Sequence, residues 1–236
     1  MKAIKKFLKE ALFPQSFTCD ACGIETFGNN LCPDCLKELK YNNGNTCPVC
    51  GRKTVRKEIC IECKAVVPYF DQAVSPLLYD GTAIRLIHKF KNGDAYLKDY
   101  FADLIFDKVK NFRKFDYITY VPMTKKAERK RGYNQAKLLA ESVGERLNVP
   151  VIQTVIKVKD TAEQKTLSRK ERMINLANTF KVKTDFDLKF KNILLVDDVL
   201  TTGSTADAIC KKLVVTGTNF IYFATIASIE YSPEKN

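Results

Sequence analysis

The chain has 236 residues, 45% hydrophobic and 28% charged, with 39 Lys and Arg against 27 Asp and Glu and a formal charge of +12. Those proportions exclude an intrinsically disordered chain and leave room for one full α/β domain plus a small module. No apolar run approaches the length of a membrane span, and the basic balance favours anionic partners without choosing between metabolite phosphates, nucleic acid and acidic membranes.

The first segment, Lys2 to Phe13, places Ile4, Phe7, Leu8, Ala11 and Leu12 on one helical face, with Pro14 following. An amphipathic helix over 1–16 is predicted, packed on the protein itself or, alternatively, docked at a membrane surface. Lys5, Lys6 and Lys9 interrupt the apolar positions and no small-residue cleavage site follows, so this is not read as a signal peptide. A cytoplasmic location is expected, with a peripheral position at the inner membrane face as the alternative.

Eight of the nine cysteines lie in the next segment, 17–66, as four C-x-x-C pairs: Cys19 with Cys22, Cys32 with Cys35, Cys47 with Cys50, Cys60 with Cys63. The pattern C-x2-C-x9-C-x2-C occurs twice, 28 residues apart, and Gly23 and Gly51 follow the first pair of each copy. In a cytosolic chain such spacing reads as structural zinc, not disulfides or an iron–sulfur cluster, because two tight turns supply four thiolates at tetrahedral corners. Two zinc ions are expected, one per copy, while a cross-braced pairing stays open. Cys210 stands alone in a later helical stretch and reads as a buried small side chain.

The remainder, 67–236, reads as one α/β domain. Phe70 to Tyr79 reads as extended, Ala83 to Phe90 as helix or turn, Lys98 to Val109 as an amphipathic helix, and Tyr117 to Val121 as a strand. A Pro-led basic loop, PMTKKAERKRGYNQ, leads to helical AKLLAESVGERL. His88, the lone histidine, is given no role. Val151 to Val158 is predicted as a strand, KDTAEQKTLSRKERMINLANTF (159–180) as a long polar segment without apolar periodicity until Met173, Phe180 to Val182 as a short strand and Phe220 to Ile229 as a last buried strand.

Lys191 to Leu213, KNILLVDDVLTTGSTADAICKKL, carries the most chemistry. Ile193 to Val196 is a short apolar run suited to a strand buried on both faces, with Asp197 and Asp198 where it should end. Thr201, Thr202, Gly203, Ser204 and Thr205 form a small-residue loop before a helix from Ala206 to Leu213. Strand, acidic pair, loop and helix build an anion site, because loop amides and the helix N-terminus face the ligand. The stretch is neither a Walker loop nor a G-x-G-x-x-G turn. It resembles the phosphoribosyl-pyrophosphate (PRPP) signature of the type I phosphoribosyltransferases.

Four segments resemble the ComF family of competence-associated, phosphoribosyltransferase-like proteins, in matching order: the cysteine module, V-P-x6-R-x-R-G-Y-N-Q over Val121 to Gln135, T-x-x-Q-x-x-L with R-x-x-N over Thr161 to Asn175, and LVDDVLTTGST. The resemblance implies a type I phosphoribosyltransferase-like parallel sheet flanked by helices, with the zinc module in front. It implies that Asp197 and Asp198 hold the ribose hydroxyls, directly or through magnesium-bound water, and that Thr201 to Thr205 take the 5′-phosphate. Arg129, Arg131 and Gly132 become candidates for the pyrophosphate loop, and Gln164, Arg169 and Arg172 for a closing loop. The implied role is transfer of phosphoribosyl to an unidentified acceptor during DNA uptake, with competence proteins and single-stranded DNA as partners. A non-catalytic PRPP-binding module and a zinc-ribbon adaptor for single-stranded DNA are the alternatives.

Overall fold

The computed structural model describes residues 18–26, 30–158, 179–183 and 185–230. The helix expected before Pro14 and the 161–175 segment, with Gln164, Arg169 and Arg172, lie outside the described residues.

Two nine-residue strands form the centre of a parallel sheet. They are β6 (Asn192–Leu200) and β7 (Phe220–Ser228), paired from Asn192↔Phe220 through Leu200↔Ser228. β3 (Tyr117–Tyr120) lies outside β6, while β1 (Gln72–Val74) and β2 (Leu77–Leu78) share the far edge of β7. All these pairings are parallel.

The two-residue alternation of β6 divides the core. Leu194 and Val196 enter a cluster with α3 (Gly81–Lys91), α4 (Leu97–Val109), α6 (Gln135–Leu147) and the first cysteine group. Ile193 and Leu195 enter the opposite cluster, with α7 (Ser204–Val215), Phe70, Phe223 and the second cysteine group. A strand covered on both faces has to be apolar at consecutive positions, which is why Ile193 to Val196 reads as an unbroken run.

The cysteine repeat is also a structural repeat. The short helices α1 (Pro33–Glu38) and α2 (Ile61–Ala65) begin directly after Cys32 and Cys60. In the turns before them, Gly23 N–H donates to Cys19 O (2.8 Å) and Gly51 N–H to Cys47 O (2.9 Å). Both glycines sit at positive φ, +80° and +68°, a conformation costly to any residue with a Cβ. At Gly51 a Cβ would also lie 2.3 Å from Ala73 O, so the second turn is pressed directly onto β1.

Three local expectations are corrected. First, the acids do not end their strand, because β6 continues through Asp197, paired with Thr225, to Leu200. Second, the basic loop after β3 contains a helix, α5 (Lys125–Arg131), capped by Thr124 Oγ1 and stopped by Gly132 at φ +93°. It buries no residue, so no apolar periodicity marks it. Third, only Val155–Lys157 of the expected 151–158 strand is regular (β4), and it pairs antiparallel with β5 (Phe180–Val182) away from the main sheet. Val151 instead makes a single parallel bridge to Ile118.

Candidate functional site

The thiols fall into two sequential groups. Sγ atoms of Cys19, Cys22, Cys32 and Cys35 lie within 4.8 Å of one another, as do those of Cys47, Cys50, Cys60 and Cys63. Cys22 and Cys32 Sγ are 3.8 Å apart, Cys50 and Cys60 Sγ 3.7 Å. A tetrahedron with zinc–sulfur bonds of about 2.3 Å has edges of about 3.8 Å, so both groups fit zinc, and the sequential grouping settles the pairing. Each group also has an arginine donating to a sulfur, Arg52 Nε to Cys50 Sγ (3.4 Å) and Arg85 Nη2 to Cys35 Sγ (3.6 Å). Such donors offset thiolate charge and orient the ligands. The arginines are held in turn by ion pairs with Glu62 and Glu38. Cys210 is fully buried, which pushes its thiol well above the usual range and keeps it protonated.

The anion corner is assembled where β6 gives way to α7. Gly203 is the N-cap of α7 at φ +77°, and Ser204 N–H and Oγ turn towards Thr202 Oγ1 (3.4 and 2.9 Å). No side chain caps α7. A cavity of about 50 Å³ is lined by Asp197, Val199, Leu200 and Thr201 to Thr205, so one acid and the whole loop face one space. Donors at a helix start of this length favour an anion there.

Asp197 and Asp198 have different surroundings. Asp197 Oδ1 accepts from the backbone N–H of Asp198 (2.9 Å), while Asp198 Oδ2 pairs with Lys91 Nζ (3.0 Å). Burial, then the charge on Asp198, push the Asp197 carboxyl up to about 8, against the opposing pull of that backbone bond, Lys91 and Lys157. An acid pair with one member ion-paired to a lysine and one that resists ionisation suits a neutral hydroxyl ligand better than a second free anion.

Arg129, Arg131 and Gly132 are exposed on α5 and its cap, and among the described residues neither arginine has an ion pair with the acids. The neighbouring residues are held more firmly. Asn134 caps α6 through Lys137 N–H and donates to Val121 O (3.1 Å), and Tyr133 OH donates to Phe90 O and accepts from Gly93 N–H (3.2 Å). Lys91 and Lys157 were not singled out from sequence as site residues. The signal for Lys91 was its place at the end of an amphipathic helix, immediately before the Asn92-Gly93-Asp94 turn.

A larger cleft of about 480 Å³ lies beyond the loop, between Thr202 to Ser204, Tyr69 and Lys211 on one side and Arg52 and Glu62 of the second cysteine group on the other. Asp207 accepts from Tyr69 N–H (2.6 Å) and helps hold its wall. No helix among the described residues is long and apolar enough to cross a membrane.

Residues 8–64 match a family model described as a double zinc ribbon domain. The chain is 41% identical over 97 residues to Competence protein F of Haemophilus influenzae, covering 39% of this chain and 42% of that one. It is 35% identical over 103 residues to the DNA utilization protein YhgH of Salmonella typhi, covering 43% and 44%. The chain thus spans less than half the length of these curated relatives. Adenine phosphoribosyltransferase from Thermoanaerobacter pseudethanolicus overlaps 59% of this chain and 71% of its own at 24% identity, with a TM-score of 0.37. The chain is a parallel sheet flanked by helices with a front segment that matches a double zinc ribbon domain, and over less than half of its length it is similar to proteins named Competence protein F and DNA utilization protein YhgH.

Proposed function

We propose that this chain binds PRPP at the end of β6, transfers its phosphoribosyl group to an acceptor with release of pyrophosphate, and acts in DNA uptake. One observation carries the reading: a single cavity joins Asp197 to the Thr201–Thr205 loop at the start of α7. The relatives' names, Competence protein F and DNA utilization protein, support the biological setting.

In this reading the loop amides and the Thr and Ser hydroxyls take the 5′-phosphate, with Gly203 allowing close backbone approach. Asp198 accepts from a ribose hydroxyl, and Asp197, whose carboxyl resists ionisation, can donate or accept at its neighbour. An acid pair that forms no closed cage would suit a magnesium ion arriving with the diphosphate, and that ion would draw Asp197 into its ionised form and supply charge neutralisation for the departing group. The chain's own part is to fix the ribose between loop and acids, so that the anomeric carbon faces the acceptor in a fixed geometry.

Turnover separates an enzyme from a binding module. With magnesium and PRPP, and with nucleobases, nucleosides or single-stranded DNA as acceptor panels, wild type is expected to release pyrophosphate faster than a protein-free control for at least one panel. Saturable PRPP binding with no release above control for any acceptor would replace transfer by ligand sensing.

A further inference from the structure

The acidic strand end already has a cation of its own. Lys91, the last residue of α3, pairs with Asp198 at 3.0 Å, and the two side chains are only 27% and 18% exposed. This is not a loose surface pair. Phe90, beside it in sequence, is fully buried against Phe101 (centroids 5.5 Å apart), and its carbonyl accepts from Tyr133 OH. The same hydroxyl accepts from Gly93 N–H, so one phenol from the Arg131–Gln135 segment grips both sides of Lys91. Three stretches distant in sequence therefore meet here: the end of α3, the start of α6 and the end of β6.

A lysine so placed has a stem fixed at its base and an ammonium with further donors than the one facing Asp198. A diphosphate on the anomeric carbon, with the ribose on the acids, would sit beside that ammonium and offer it more negative charge than a single carboxylate. Arg129 and Arg131, by contrast, are exposed and pair with neither acid among the described residues. We propose that Lys91 is the cation that receives the ligand's diphosphate, exchanging Asp198 for it when ligand binds, and that Tyr133 is the residue positioning it. The proposal rests on the PRPP reading and adds to it the group that holds the leaving half.

The test compares two probes that share the ribose and 5′-phosphate but differ in the diphosphate: PRPP with magnesium, and ribose 5-phosphate. Lys91→Gln is expected to weaken PRPP about 10–100-fold, as loss of one charge-assisted contact does, and to change ribose 5-phosphate by no more than about twofold. Lys91→Arg retains most of the PRPP affinity. Tyr133→Phe keeps every charge and weakens PRPP by several-fold, again sparing ribose 5-phosphate, and it carries the test should Lys91→Gln not fold. Equal weakening of both probes by either variant, or an unchanged PRPP affinity, overturns the assignment. Wild type that binds neither probe overturns the PRPP reading beneath it, a result distinguishable from the others because no variant is needed to see it.

Discussion

Replacing Cys60 with serine is expected to reduce bound zinc from two ions per chain to one and to lower the unfolding midpoint by more than about 10 °C. The second cysteine group is not an appendage. Its four sulfur-bearing residues share a core cluster with Phe70, Ile193, Leu195 and Ile209, so the domain's central strand packs towards it. Val49 O accepts from Ala73 N–H (2.7 Å), and Asn42 Nδ2 donates to Gly51 O (2.8 Å) and Ser75 O (3.1 Å), stitching the turn to β1. Without zinc the buried thiolates would lose the cation that neutralises them and would take up protons, leaving Arg52, whose side chain is 5% exposed, without its anionic sulfur partner. Cys22→Ser is the control, because Cys22 alone among the eight is exposed and its group joins the other cluster. It should also remove one zinc but lower the midpoint by less. Metal content and thermal unfolding measure both effects. Equal zinc in wild type and Cys60→Ser would contradict the second site.

Asp197→Asn should stabilise the protein while weakening its ligand. The folded-state carboxyl of Asp197 lies near 8, above the ordinary 3.8, so the folded protein holds this proton more tightly than the unfolded chain does. The penalty for ionising it is absent below about pH 4, grows as pH rises between the two values, and is complete above about pH 8. Asparagine cannot ionise, and its side-chain oxygen can still accept from Asp198 N–H. The expected gain is a rise of several °C in the unfolding midpoint at about pH 8.5 that shrinks as pH falls towards about 4. A residue that costs stability in the empty protein is typical of a group kept for function. Unfolding of wild type and variant across that pH range checks the sign, and a loss of stability at pH 8.5 would show that Asp197 is held ionised by its neighbours.

Much of this was readable from the chain because it is local. The spacing of the cysteines sets the turns that bring their sulfurs together, and the apolar run from Ile193 to Val196 marks a strand covered on both faces. Asp197, Asp198 and the Thr201–Thr205 loop are consecutive, so their sharing a cavity needs only a strand–loop–helix corner. What sequence did not reveal is mostly non-local. Lys91 meets Asp198 across more than a hundred residues, and the pressing of Gly51 onto Ala73 O requires knowing which strand lies at the sheet's edge. Helix α5 escaped for a different reason: every one of its residues faces outward or half-outward, so its cap at Thr124 and stop at Gly132 were its only marks. β4 was over-extended because Val151 to Val158 has strand composition throughout, while Thr154 is turned inward to bond Thr119 Oγ1 (2.9 Å) instead of continuing a ladder.

The most direct test of the central claim is a calorimetric titration of PRPP with magnesium into wild type and into the Asp197→Asn, Asp198→Asn double variant. Saturable binding by wild type is predicted, weakened in the double variant by at least about 30-fold, as loss of two charge-assisted contacts should do. No heat of binding from folded wild type, or the same affinity in both proteins, would contradict it.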